Sequence, residues 1–145
     1  MKTVHAKFFK LLAILSYESK ESVVYRYSGQ TSLSWLYKND RKTYDQMLKG
    51  MEKQASEREE MDKARKQVIA SIAGYFKLTG EYQNLTYIER LWRIKATAEA
   101  AAGKKWRFNQ IPLPRLRQIS YEFTRKQKLY IEYQNLKALK DICLN

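Results

Sequence analysis

Residues 104 to 118, KKWRFNQIPLPRLRQ, hold five cations, two aromatics and two prolines with no acid among them. Side chains of these types do one kind of chemistry well. Lys and Arg neutralise phosphates, and an aromatic face between them stacks on an exposed base, worth about 1–3 kcal/mol per base. The pattern continues beyond the stretch. Over residues 104–128 the cations Lys104, Lys105, Arg107, Arg115, Arg117, Arg125, Lys126 and Lys128 are opposed only by Glu122, so this segment holds +7 of the chain's net +13. A surface built for solubility mixes both signs, and this one does not. Arg115 and Arg117 fall in the first turn of the helix expected to start at Pro114, where the macrodipole is positive and stability alone favours Asp or Glu. A helix start ringed by cations is instead suited to a phosphate. Trp106 and Phe108 have a competing use, since large aromatics more often anchor a loop to the core.

No other chemistry is supported to this degree. His5 is the single histidine, so a His-based acid/base pair or a multi-His metal site cannot be built. Cys143 lacks the partner and the basic neighbourhood of a nucleophile. Glu57, Glu59, Glu60 and Asp62 form the one acidic cluster, which the macrodipole at a helix start explains. No phosphate-loop glycine motif occurs. The expectation is a protein that is no enzyme and takes no cofactor and no metal. The lone cysteine also excludes an intramolecular disulfide and suits a reducing, cytoplasmic compartment. Met1-Lys2 and the apolar Phe8–Leu15 loosely mimic a signal peptide, but Lys10 interrupts the run and Tyr17-Glu18-Ser19-Lys20 is no small-residue cleavage site. No other apolar stretch approaches the ~20 residues of a membrane span, so no stable membrane insertion is expected.

These residues need a scaffold, and few breakers with many Lys, Glu, Leu, Ala and Gln residues make it helical. The fold class expected is all-α, a compact bundle of about five helices, with residues 21–30 as an isolated extended segment or a linker. Val4, Phe8, Leu11, Leu12 and Leu15 give a first amphipathic helix. Val23, Val24, Tyr25 and Tyr27 have strand-like propensity, and Ser28-Gly29 is a turn signal. This divides the chain into an N-terminal helix with an extended linker (1–30) and a helical domain (31–145). Leu33, Leu36 and Tyr37 form one short face. Asn39 or Asp40 caps a second helix carrying Tyr44, Met47, Leu48 and Met51, and Ser56-Glu57-Arg58-Glu59 fits a capping box for a third that ends near Gly80. The second and third could equally be one rod. Thr86-Tyr87-Ile88-Glu89 opens a fourth helix that ends at Gly103. The fifth carries Leu116, Ile119, Phe123 and Tyr130, then Leu129, Tyr133, Leu136 and Leu139, a stripe that drifts around its axis. Trp35 and Trp92 read as core, and Tyr121, Tyr130 and Tyr133 as core edges.

Arg65-Lys66-Gln67-Val68-Ile69-Ala70-Ser71-Ile72, Gly80, Asn84-Leu85, Phe108-Asn109-Gln110-Ile111-Pro112, Arg115-Leu116-Arg117 and Lys126-Gln127-Lys128 resemble a set of small, uncharacterised helical proteins of Bacteroidales prophages and mobile elements. The likeness covers residues 65–128, about half the chain. In size and setting these proteins are similar to the GemA-like regulators of Mu-type phages. The resemblance implies a phage-associated regulatory or DNA-metabolism role, with no catalytic residues to carry over. Charge and resemblance together predict a DNA- or RNA-binding module that works through phosphates, using Lys104 to Lys128. Arg115, Gln118, Glu122 and Arg125 share one helix face and could add weak base readout. The alternative is a protein–protein module docking an acidic partner. Composition leaves DNA against RNA and the oligomeric state open.

Overall fold

Four short polar side chains start four helices by the same contact. The side-chain oxygens of Ser19, Ser32, Asp40 and Thr86 each accept the backbone N–H three residues on, all at 3.2 Å. Each such cap contributes about 1 kcal/mol. The structure, a computed structural model, describes residues 4–15 and 18–144. Among them are α1 (Ala6–Leu15), α2 (Lys20–Ser28), α3 (Leu33–Asn39), α4 (Arg41–Thr79), α5 (Tyr87–Ala101) and α6 (Leu113–Leu144), with one 3-10 turn (Phe108–Gln110) and no strand. Met1-Lys2 and Tyr17 of the signal-like stretch lie outside the described residues.

The all-α class is as expected, but the element count changes in two places. Residues 21–30 are not extended. Ser19 caps α2, Gly29 closes it in the left-handed region (φ 73°), and Val23 and Val24 are fully buried. That burial, about 1.5–3 kcal/mol per side chain, outweighs the few tenths that β-branching costs a helix. The expected second and third helices are one rod, α4, 39 residues long. Ser56 starts nothing, because the buried face of Met47, Met51 and Ala55 runs straight into it.

Two compact units divide between Glu59 and Glu60, within α4, and not at residue 30. In residues 1–59 the core is Phe8, Leu11, Val23, Val24, Leu33, Leu36, Tyr44, Met47, Met51 and Ala55. Gly50 admits the Tyr27 hydroxyl, which a Cβ there would strike. Trp35 was expected in this core and is 45% exposed, because Leu33 and Leu36 already fill the inner face of a seven-residue helix.

In residues 60–145 the core is built on Ala64, Val68, Ile72 and Phe76 of α4, Ile94, Ala98 and Ala102 of the α5 region, and Leu116, Ile119 and Phe123 of α6, closed by Phe108 and Ile111. Gly74 lets α6 come close. A Cβ there would lie 2.7 Å from the Gln127 amide, whose Nε2 donates to Ser71 O at 2.6 Å. Trp92, expected inside, is 72% exposed, and Ile88 beside it is 64% exposed. The α5 residues that go inside are Ile94 and Ala98, one turn apart and small enough for close packing, which rotates Trp92 outward.

Candidate nucleic-acid interface

The basic loop begins where α5 ends, and the backbone there is fully accounted for. An α-helix leaves its last four carbonyls without intrahelical partners. In α5, Ala98 O accepts from Ala102 N at 2.9 Å, Ala100 O from Gly103 N and Glu99 O from Lys104 N, both at 3.0 Å. Ala101 O accepts from the Arg115 guanidinium. Folding these N–H groups back requires two consecutive left-handed residues, Gly103 (φ 88°) and Lys104 (φ 61°). Glycine adopts that conformation freely; a lysine pays about 1–2 kcal/mol.

Beyond the turn the loop is pinned from below and open above. Phe108 is 5% exposed, its N–H donates to Glu99 Oε1 at 3.0 Å, and Lys95 Nζ lies 5.6 Å from its ring centroid. Arg65 Nη2 donates to Asn109 O at 2.8 Å. Ile111 is fully buried. Ahead of these fixed points Lys104, Lys105, Trp106 and Arg107, with Gln110, border an open hollow of about 520 Å³, whose other wall is Ala96, Glu99 and Ala100 of α5. Lys104, Lys105 and Arg107 make no ion pair with any described residue. The two aromatics therefore part company. Phe108 is an anchor, and Trp106, 36% exposed, stands beside the cations.

The cations of α6 separate into three kinds. Arg115 is engaged: besides Ala101 O, its Nη1 donates to Gln118 Oε1 at 2.8 Å and lies 3.9 Å from Glu122. Its charge offsets the negative end of the α5 macrodipole, which accounts for a cation in the first turn of α6. The Arg115, Gln118, Glu122 face is thus occupied with itself and not free to read bases. Lys126 lies over the Phe123 ring at 4.6 Å. Arg117, Arg125 and Lys128 are exposed and lie opposite the buried Leu116, Ile119 and Phe123. Only Arg117 of these has an ionic partner, Glu60 at 3.9 Å, with both side chains more than half exposed, an arrangement of little energetic weight.

Tyr121 is a residue the sequence reading misplaced. It is 69% exposed and falls between Arg117 and Arg125 at four-residue spacing, an aromatic among cations on the outer face. That spacing from Leu116, Ile119 and Phe123 was the available signal. α6 also starts one residue earlier than expected, with Leu116 N donating to Pro112 O at 3.0 Å, so Pro114 is its second residue. Among the described residues no three His, Cys, Asp or Glu side chains converge as metal ligands, and no helix is long and apolar enough to cross a membrane.

No protein-family model, curated protein or solved structure matches the chain.

Proposed function

We propose that the protein is a non-enzymatic nucleic-acid-binding module that grips phosphates with the 104–107 loop and the outer face of α6. The observation that carries this reading is the loop itself. Three cations without ionic partners surround an open hollow, and one of them, Lys104, occupies a backbone conformation that Gly or Asn would adopt at lower cost. Strained backbone clusters at binding sites, and a lysine held in this conformation supports use of its side chain. Arg117, Arg125 and Lys128 extend the set, and Trp106 and Tyr121 add faces on which bases can stack. Lys126 and Arg115 contribute field rather than contact. A role in a phage or mobile-element regulator, inside the cytoplasm, fits this reading.

A salt titration tests it. With four to six phosphates contacted on duplex DNA, log affinity falls against log salt with a slope of about −4 to −5. Replacing Lys104, Lys105 and Arg107 by Ala makes the slope shallower by up to about 2.7 and leaves helicity unchanged. A flat response in the unaltered protein overturns the reading.

The second reading, an adaptor for an acidic protein, draws on α5. Tyr87, Ile88 and Trp92 are 79%, 64% and 72% exposed, with Arg90 and Arg93 among them. Co-purification with a stoichiometric acidic protein, with a 260/280 nm absorbance ratio free of nucleic acid, favours that alternative.

A further inference from the structure

The last 16 residues of α6 differ from everything before them. From Ile131 to Cys143 every residue is exposed, although the segment is not polar: Leu129, Tyr133, Leu136 and Leu139 are 52%, 61%, 66% and 58% exposed. At 100° per residue these four fall with Glu132, Lys140 and Cys143 on one stripe. An isolated helix of this length is marginal in water, and its apolar stripe is the kind that stabilises a helix only when covered.

The charges indicate the cover. Residues 129–145 carry two cations and two acids, in a chain of net charge +13. On the stripe itself lie one of each, Glu132 and Lys140, placed symmetrically four residues either side of Leu136. Two copies laid antiparallel about Leu136 bring Glu132 level with Lys140 of the second copy, twice over, with Leu136 against Leu136 at the two-fold axis. A parallel pair stacks Glu132 on Glu132 and Lys140 on Lys140. Like charges opposed in this way are destabilising, opposite ones stabilising. The segment is self-complementary in one orientation only.

We propose that the C-terminal half of α6 is a homodimer interface formed by antiparallel pairing with a second copy of this chain, centred on Leu136. Such a contact is isologous, as a closed two-fold dimer requires. The paired length is about 24 Å at 1.5 Å per residue, a short contact, so the association is expected to depend on concentration. The inference rests on the apolar stripe and its charges and does not depend on nucleic-acid binding.

Sedimentation equilibrium from about 1 to 500 μM, without nucleic acid, is expected to show a 17.3 kDa chain passing to twice that mass. Leu136→Glu, which sets two carboxylates together at the axis, raises the dissociation constant by about tenfold or more while circular dichroism holds α1–α5 helicity. Glu132→Lys and Lys140→Glu each weaken the dimer, and the two together restore it. Mild oxidation reads the orientation. Cys143 of one copy lies about 21 Å along the axis from Cys143 of the other in the antiparallel pair, so the unaltered chain forms no disulfide dimer, whereas Leu129→Cys forms one with Cys143. A chain that stays monomeric at every concentration, a disulfide dimer of the unaltered chain, or failure of the double charge swap to restore association each overturns the proposal.

Discussion

The two units treat their cations differently. Residues 1–59 carry eleven Lys and Arg against seven acids, and residues 60–145 carry seventeen against eight. In the first unit four cations are spent on the fold. Lys7 pairs with Glu52, Arg26 with Glu18 at 2.5 Å, and Arg41 with Asp45 at 3.6 Å. Arg41 also stacks 3.8 Å above the Tyr37 ring, and Arg58 Nη1 donates to Ile14 O at 3.1 Å. In the second unit only some are used this way. Arg65 and Arg115 tie loop and helix ends to backbone carbonyls, while Lys104, Lys105, Arg107, Arg125 and Lys128 have no ionic partner among the described residues. Lys10, Lys20, Lys38, Lys42, Lys49 and Lys53 of the first unit also lack an ionic partner among the described residues, so what marks the candidate interface is unspent charge gathered with an aromatic in one loop, Lys104, Lys105, Trp106 and Arg107. Substitutions that separate the two uses of a cation test the distinction.

The largest effect belongs to the cores. Leu116 lies between Arg115 and Arg117 and is fully buried, as is Leu36 in the first unit. Leu116→Ala and Leu36→Ala are each expected to cost about 2–5 kcal/mol in urea unfolding. Under conditions where both remain folded, the Leu116 variant alone loses polyanion affinity, because it loosens the helix that carries the outer cations. Equal losses of affinity would break the comparison. Next comes Arg115. Arg115→Ala leaves Ala101 O without its donor and is expected to cost about 1–3 kcal/mol, the value of a charge-assisted hydrogen bond to a partly buried carbonyl. Arg41→Ala, losing an exposed pair and its stack on Tyr37, costs about 1 kcal/mol.

Lys104 gives the sharpest separation of fold from function. Lys104→Gly removes the left-handed penalty and is expected to stabilise the protein by about 1 kcal/mol, while weakening nucleic-acid binding. Alanine at Lys7, Arg26 and Arg41 together is expected to do the reverse, lowering the melting temperature with the salt slope unchanged. A Lys104→Gly protein that is more stable and binds as well as before would make the loop a solvated connection with an ill-chosen residue.

Much of the candidate interface was legible in the sequence because charge needs no fold to be counted. The +7 segment, the Thr86 and Asp40 caps and the left-handed Gly80 and Gly103 are local features, and local chemistry fixes them. What could not be read depends on the rest of the molecule. Arg115 looks misplaced until Ala101 O, fourteen residues earlier, is known to lie within its reach. Val23 and Val24 look like a strand until something covers them. Ser56 satisfies a capping pattern within a helix that has no reason to stop. Trp35, Trp92 and Tyr121 each share a helix with apolar residues, and which of two adjacent apolar faces turns inward is decided by what packs against it.

The smallest effect is a pH response confined to the first unit, which holds the single histidine. His5 Nδ1 lies 2.9 Å from the Tyr44 hydroxyl, and its ring meets that of Tyr37 edge-on at 5.4 Å. Burial holds the His5 imidazole below its ordinary value, and the positive charge of Lys20 adds to the depression. The unfolded chain, titrating near the ordinary value of about 6.5, therefore takes up a proton that the folded chain resists. Stability present above pH 6.5 is lost as pH falls from there through the lowered folded value. Asp40 acts in a separate window. The hydroxyl and backbone N–H of Thr43 hold its carboxyl below the ordinary value, so its contribution persists until well into the acid range. Hydrogen exchange at pH 5.5 against pH 7.5, corrected for intrinsic rates, is expected to show faster opening of α1 and the start of α4, with α5 and the first half of α6 unchanged. His5→Gln, which keeps a hydrogen-bonding partner for Tyr44 but no titration, removes the difference. A response of equal size in α6 would mean that the two units do not open separately, and the contrast between spent and unspent charge would then rest on binding data alone.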